Sequence, residues 1–144
     1  MLIPDVNVLI YAHDAACPAH ARARVWRERA LSGVEPIGIP WVVALAFVRL
    51  TTHPTLSDKP MTIAQSRSGV ESWFEMPHVR LLVPTHATLS HFFDLLESSG
   101  GAGNLTTDAL IAAHAVEMGA RVCTNDRDFA RFPNVSCLNP LFLN

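Results

Sequence analysis

The sequence predicts an α/β domain built on a parallel sheet. Short apolar runs with the length of strands alternate along the chain with longer segments of helical periodicity, which is typical of this fold class. The chain has 144 residues, of which 49% are apolar and 17% charged, so it can form its own core and is too apolar for a disordered tail. We therefore expect one domain over residues 1–144.

Five strands are expected from the apolar runs, each bounded by polar or turn-forming residues. Their short length and their alternation with helices favour parallel pairing over a series of hairpins. The predicted strands are Leu2 to Pro4, Pro36 to Ile39, Val79 to Val83, Arg121 to Thr124 and Val135 to Leu138.

Six helices are expected in the intervals, with a short turn over Arg127 to Arg131. Pro40 stands where a first helical turn tolerates proline, and Pro54 and Pro77 follow helix ends. The glycine-rich stretch from Ser98 to Asn104 is flexible but too short to separate two domains. The predicted helices are Val6 to His13, Ala19 to Leu31, Trp41 to Thr52, Thr62 to Phe74, Ala87 to Ser98 and Thr107 to Met118.

The charge of the chain is close to balanced. A formal net charge of −2 gives no global attraction to nucleic acid, because that attraction is built from basic residues. One segment is locally basic, and it contains Arg22, Arg24, Arg27 and Arg29. We interpret it as a solvated helix face, with RNA contact as the alternative.

Cysteine usage and hydropathy indicate a location in the cytoplasm. Cys17, Cys123 and Cys137 are widely spaced, so we expect reduced thiols and no structural zinc. No apolar run reaches the roughly 18 residues that a membrane span needs, and the first residues lack the pattern of a signal peptide. We therefore expect no membrane association.

Three aspartates lie where a strand or loop gives way to a helix. Asp5 ends the first strand and Asp126 follows the fourth, so both project from the carboxyl edge of the sheet, where open parallel sheets place their sites. Asp108 begins the last long helix, and Asp128 follows Asp126 closely. Each aspartate taken alone also fits a helix cap, because its oxygens accept free N–H groups of the first turn.

A cluster of these carboxylates would need a counter-charge. Two unit charges 4 Å apart repel by about 4 kcal/mol at an effective dielectric of 20, more than the roughly 1 kcal/mol of a cap. The one lysine, Lys59, is remote from these motifs in sequence. A hard divalent cation, Mg²⁺ or Mn²⁺, is the expected counter-charge.

The motifs IPDVNVLIYA near the start and TTDALIAAHAVEMGARVCTNDRDF near the end resemble those of a PIN-domain ribonuclease, in particular the VapC toxins of bacterial toxin/antitoxin pairs. The stretch IPWVVALAFVRLTTHP is similar to a mycobacterial-type branch, and the resemblance covers nearly the whole chain. It implies a PIN-like three-layer α/β/α fold with a central five-stranded parallel sheet.

The resemblance implies an endoribonuclease toxin that depends on Mg²⁺, with Mn²⁺ as a possible substitute. Such an enzyme hydrolyses phosphodiesters of transfer or ribosomal RNA with metal-activated water. By match to the family motifs, Asp5, Asp108 and Asp126 would be the catalytic residues and the metal ligands. The implied partners are a VapB-type antitoxin and a second copy of the chain.

Further polar residues are candidates for the substrate or the outer shell of the site. By resemblance, Asn7 would hold a water or the substrate phosphate, and Asp128 is a second candidate at the last acidic position. Thr124 and Asn125 are candidates for contacting the metal shell or a phosphate, although polar residues at strand ends also cap the next turn.

One position departs from the family pattern. Ala46 stands where the family commonly has a glutamate, which leaves open whether one or two metal ions bind. The departure also keeps open an alternative function, a PIN-like module of weak catalytic power that acts by binding a partner or RNA. A haloacid-dehalogenase-type phosphotransferase is disfavoured, because Asn7 stands where that chemistry needs an acid.

Overall fold

The computed structural model describes residues 1–142, so the last two residues of the expected domain lie outside the described part. Five parallel strands form one sheet in the order β3-β2-β1-β4-β5. The strands are β1 (Leu2–Pro4), β2 (Ile37–Pro40), β3 (Val79–Leu82), β4 (Arg121–Cys123) and β5 (Ser136–Leu138).

Six α-helices connect the strands. They are α1 (Val6–His13), α2 (His20–Ser32), α3 (Trp41–Thr52), α4 (Ile63–Trp73), α5 (His86–Ser99) and α6 (Thr106–Met118). A 3₁₀ helix, Arg127–Arg131, lies between β4 and β5. The predicted α/β class and every predicted element are confirmed, with ends shifted by no more than one residue.

The strand order explains the layers. The chain moves from β1 to β2 to β3 in one direction, and then returns across the sheet to β4 and β5. Because such crossovers are right-handed, α1 to α4 cover one face of the sheet and α5 and α6 cover the other. The three-layer α/β/α arrangement expected from the resemblance is therefore present.

The centre of the sheet lines up the ends of β1 and β4. Pro4 lies opposite Cys123 in the register of these neighbours, and the backbone N–H of Asp5 donates to the carbonyl of Cys123 at 2.9 Å. The residues that follow the two strands are thus held at one level of the carboxyl edge. This is the switch point at which the strand order reverses, where open α/β sheets place ligands.

The core packs behind this edge on both faces of the sheet. Ile3 of β1 and Val122 of β4 are fully buried, and α6 packs closely through the small residues Ala109, Ala112 and Ala113. Gly119 ends α6 with a positive φ of 58°, a conformation that residues with a Cβ rarely adopt.

Within residues 1–142, none of the helices combines the length and apolarity that crossing a membrane requires.

Candidate active site

Three carboxylates meet at the carboxyl edge of the sheet. Asp108 comes from the first turn of α6, Asp126 from the loop after β4, and Asp128 from the 3₁₀ helix that follows. One oxygen of each lies within 4.8 Å of one oxygen of each of the others. Strand pairing and helix packing thus bring together side chains that are 18 and 20 residues apart in sequence.

Asp5 lies behind this triad, in the interior. Its side chain is only 3% exposed, and Oδ2 accepts hydrogen bonds from Thr124 Oγ1 at 3.0 Å and from Asn7 Nδ2 at 3.5 Å. Asp5 occupies the N-cap position of α1 but makes no side-chain capping hydrogen bond. The backbone N–H groups of Val6 and Asn7 favour its ionised form, but the pKa is raised overall, so the start of α1 does not offset the cost of burying this carboxylate.

Thr124 links the buried carboxylate to the exposed ones. Its hydroxyl donates to Asp5 and accepts from the backbone N–H of Asp126 at 2.9 Å. Asp126 Oδ1 in turn accepts from the backbone N–H of Asp128 at 2.8 Å. A continuous chain of hydrogen bonds therefore runs from the end of β1 into the acidic loop.

Burial and neighbouring carboxylates raise the pKa of Asp5 and of Asp108. Burial is the main cause that raises the pKa of Asp5, and the hydrogen bond from Thr124 lowers it by less. The charge of Asp126 raises this pKa further. Burial, followed by the charges of Asp5, Asp126 and Asp128, raises the pKa of Asp108 to about 7. Within the described chain, none of these four carboxylates forms a salt bridge.

The donor set fits a hard divalent cation. Its ligand atoms would be carboxylate oxygens, which Mg²⁺ and Mn²⁺ prefer, and two of the three triad members lie at the solvent-facing rim. A bound cation would supply the positive charge that no salt bridge within residues 1–142 gives to these carboxylates. The raised pKa of Asp108 shows that burial, and then the charges of this edge, oppose its ionisation.

The structure brings all the predicted acidic residues to one edge, with a different grouping. The close triad contains Asp128, which was expected as a second candidate, while Asp5 stands behind it and reaches the loop through Thr124. Asn7 lies beside Asp5, and its expected contact with a water or a phosphate stays a prediction. The alternative interpretation of these aspartates as helix caps also holds in part, because Asp126 caps the 3₁₀ helix while it faces the other carboxylates.

One polar residue at this edge was missed by the sequence analysis. Asn139 directly follows β5, and its Nδ2 donates to Oδ1 of the exposed Asn125 at 2.8 Å. The signal was available, because Asp5 and Thr124 were both identified as polar residues at the end of a strand. Ala46 is buried in α3, a helix with no acidic residue, so this helix supplies no carboxylate to the site.

These features define an α/β protein with an acidic site at the switch point of its parallel sheet. The PIN domain family model matches residues 2–135, and the chain belongs to this family. Ribonuclease VapC33 of Mycobacterium tuberculosis is 34% identical over 141 residues, which cover 98% of this chain and 99% of the relative. Ribonuclease VapC37 of the same species is 37% identical over 135 residues, or 94% of each chain.

A solved structure supports the fold independently. VapBC-1 from nontypeable Haemophilus influenzae matches with a TM-score of 0.67 at 19% identity, covering 96% of this chain and 97% of the other. At that identity the match establishes the fold alone. The predicted resemblance to VapC proteins of a mycobacterial branch is confirmed by the sequence relatives.

Proposed function

We propose that this protein is a metal-dependent endoribonuclease toxin of a toxin/antitoxin pair, formed by one PIN domain over residues 1–144. The observation that carries the proposal is the triad of Asp108, Asp126 and Asp128, with the buried Asp5 behind it and no salt bridge to any of them in the described chain. The relatives that cover the whole chain are named ribonucleases, which supports RNA as the substrate.

The residues divide into two roles in this proposal. Asp108, Asp126 and Asp128 are placed to hold Mg²⁺ or Mn²⁺, and Asp5 is either a further ligand or the anion that orders Thr124 and the acidic loop. When bound, the metal lowers the pKa of its water and neutralises charge on the phosphodiester. Asn7, held beside Asp5, is placed to contact a water or a phosphate oxygen.

The test is the variant Asp5→Asn, which keeps the size of the side chain and an oxygen for Thr124. We expect its cleavage of total transfer and ribosomal RNA in Mn²⁺ to fall by about 100-fold or more, with the melting temperature unchanged or raised. Asp94→Asn is the matched control, because Asp94 is exposed on α5 and is not a member of the acidic triad. Full cleavage by Asp5→Asn would contradict the mechanism.

Ala46 favours a second candidate, a PIN-fold module that binds RNA or a protein without cleaving. The absence of a carboxylate from α3 weakens the ligand set on that side. Isothermal titration with Mn²⁺ separates the candidates when it is paired with RNA incubation. Saturable Mn²⁺ binding together with RNA cleavage supports the nuclease. RNA binding without Mn²⁺ binding and without cleavage supports the module.

We also propose a VapB-type antitoxin partner and a cytoplasmic location, where RNA and such a partner would be met. A neighbour in fold is the VapBC-1 structure from Haemophilus influenzae, which supports the antitoxin assignment. Mixing with the cognate antitoxin should suppress cleavage at a fixed molar ratio. Cleavage that persists in a stable complex would contradict an inhibitory partner.

A homodimer is proposed from an apolar stripe on α3. Trp41, Leu45 and Val48 are spaced at helical intervals and are 57%, 56% and 36% exposed. Large apolar side chains on one face of a helix are typical of an interface with another chain. Sedimentation equilibrium should show a dimer that Leu45→Glu converts to a monomer, and a monomeric wild type would refute the proposal.

A further inference from the structure

A pair of asparagines lies at the carboxyl edge, next to the acidic loop. Asn125 stands between Thr124 and Asp126, and Asn139 is the first residue after the neighbouring strand β5. Asn139 Nδ2 donates to Asn125 Oδ1 at 2.8 Å. The proposed metal site makes no use of this pair, so its presence at this edge calls for a separate explanation.

The backbone fixes the direction in which both amides point. The N–H of Leu141 donates to Asn139 Oδ1 at 3.0 Å, and a backbone N–H acts only as a donor. Asn139 therefore turns its Nδ2 towards Asn125. Because Nδ2 is also only a donor, the atom of Asn125 that it meets is the oxygen.

The result is an oriented donor group on the surface. Asn125 is exposed, and its Nδ2 makes no hydrogen bond to any residue of the described range 1–142. Two N–H groups are thus presented to solvent by a side chain whose own oxygen is already engaged. Such a group binds an acceptor with little further loss of side-chain freedom.

We propose that Asn125 is an RNA-binding residue, whose Nδ2 donates to an acceptor oxygen of a nucleotide beside the cleaved bond, and that Asn139 is its positioning residue. The proposal rests on the proposed function, since it takes RNA as the substrate. An acidic edge repels a polyanion, and a neutral amide attracts a phosphate or base oxygen without a cation that would pair with the carboxylates.

A purely structural role makes a different prediction. If the pair only braced the ends of β4 and β5, an acceptor at position 125 would suffice, and aspartate would serve as well as asparagine. Asn125→Asp keeps that acceptor for Asn139 but removes both donors. The effect of this variant on RNA binding therefore separates recognition from bracing.

The experiment uses the full chain and two measurements. The first is the KM and kcat for cleavage of total transfer RNA in Mn²⁺. The second is the Kd, from fluorescence anisotropy in EDTA, for fluorescein-labelled oligoadenylate, oligocytidylate and oligouridylate. We expect Asn125→Asp to raise KM and Kd by about 3- to 10-fold, with the melting temperature unchanged.

Two controls separate the lost donors from the added charge. Asn125→Leu removes the donors without adding charge, and we expect it to raise KM in the same direction. Ser136→Asp adds the same charge on exposed β5, near the opposite end of the strand from Asn139, and should leave KM unchanged.

The positioning role of Asn139 is tested by Asn139→Asp. This variant still accepts from Leu141 but cannot donate to Asn125, so it should raise KM by about 2- to 3-fold.

The outcomes are distinct. Equal weakening with all three oligonucleotides supports a phosphate contact, and weakening with one of them supports a base contact. Wild-type KM and Kd in both Asn125→Asp and Asn125→Leu, or a lower melting temperature alone, would overturn the proposal. If the wild type cleaves no RNA, the proposed nuclease function fails, while the Kd series in EDTA still tests Asn125.

Discussion

The two edges of the sheet treat acidic side chains in opposite ways. At the amino edge, Glu35 accepts hydrogen bonds from Arg121 and lies 3.4 Å from the N-terminal ammonium. Burial is the largest single influence there and opposes ionisation, but the hydrogen bonds and charges of these partners together outweigh it and lower the pKa of Glu35. At the carboxyl edge, burial and neighbouring carboxylates raise the pKa of Asp5 and of Asp108.

The difference shows where the chain supplies its own counter-charge. The Glu35 pair is exposed and contributes little to stability, as surface ion pairs usually do. The carboxyl edge concentrates negative charge without a salt bridge in residues 1–142, which costs stability in the absence of a ligand. Perturbed groups gathered in this way are typical of a functional site.

The largest effect that would sharpen this comparison is expected at Thr124. Thr124→Val removes the hydroxyl that donates to Asp5 and accepts from the backbone of Asp126, with little change of shape. We expect the affinity for Mn²⁺, measured by isothermal titration, to fall by about 10- to 100-fold. Thr124→Ser, which keeps the hydroxyl, should retain most of that affinity.

Thr52→Val is the control for that experiment, because Thr52 bonds only to the carbonyl of Val48 in its own helix, at the surface. It should leave Mn²⁺ binding unchanged. If Thr124→Val bound Mn²⁺ as tightly as the wild type, the link between Asp5 and the acidic loop would have no role in holding the metal.

The sequence was sufficient to predict every strand and helix and the edge on which the acidic residues gather. These depend on local signals: apolar periodicity, proline positions and the rule that carboxyl ends of parallel strands share an edge. Asp5 and Asp126 were expected at the carboxyl edge, and the register of Pro4 with Cys123 places the ends of β1 and β4 side by side there.

The grouping within the site was harder to predict, because it depends on side-chain geometry that no local pattern encodes. Asp126 and Asp128 both face Asp108 because a 3₁₀ helix begins at Arg127 and places them on adjacent sides of a tight turn. Asn139 was missed because its importance comes from the neighbouring strand, whose end carries Asn125. Tertiary contacts decide both cases.

A smaller effect is expected in the pH dependence of stability. Between about pH 4 and about pH 7, the folded chain keeps a proton on Asp108 that the unfolded chain has released, since the folded pKa is about 7. The free energy of unfolding of the metal-free protein should therefore fall as pH rises through this window. Asp108→Asn should remove about 1 kcal/mol of this penalty at pH 8, after allowance for solvent screening.

Urea denaturation in EDTA at pH 4 and pH 8 measures this difference between wild type and Asp108→Asn. Saturating Mn²⁺ should stabilise the wild type more at pH 8 than at pH 5.5, because the proton competes with the metal, and should stabilise the variant little. Equal pH dependence of the metal-free wild type and variant would show that Asp108 ionises without cost.

The smallest effect is expected at the amino edge. Glu35→Gln removes a charge that Arg121 and the N-terminal ammonium neutralise, and its side chain is 44% exposed. The free energy of unfolding should fall by about 0.5 kcal/mol at pH 7 and low salt. Because the pKa of Glu35 is lowered in the folded chain, this contribution should be lost as pH falls through that pKa, opposite in sign to the effect of Asp108.

Urea denaturation at pH 7 and pH 3 measures this contribution of Glu35, and Mn²⁺ affinity should stay at the wild-type value. A change in Mn²⁺ affinity as large as that of Thr124→Val would mean that the two edges are electrostatically coupled through the sheet. The amino edge, with its own counter-charges, and the carboxyl edge, without a salt bridge in residues 1–142, could then not be treated as independent.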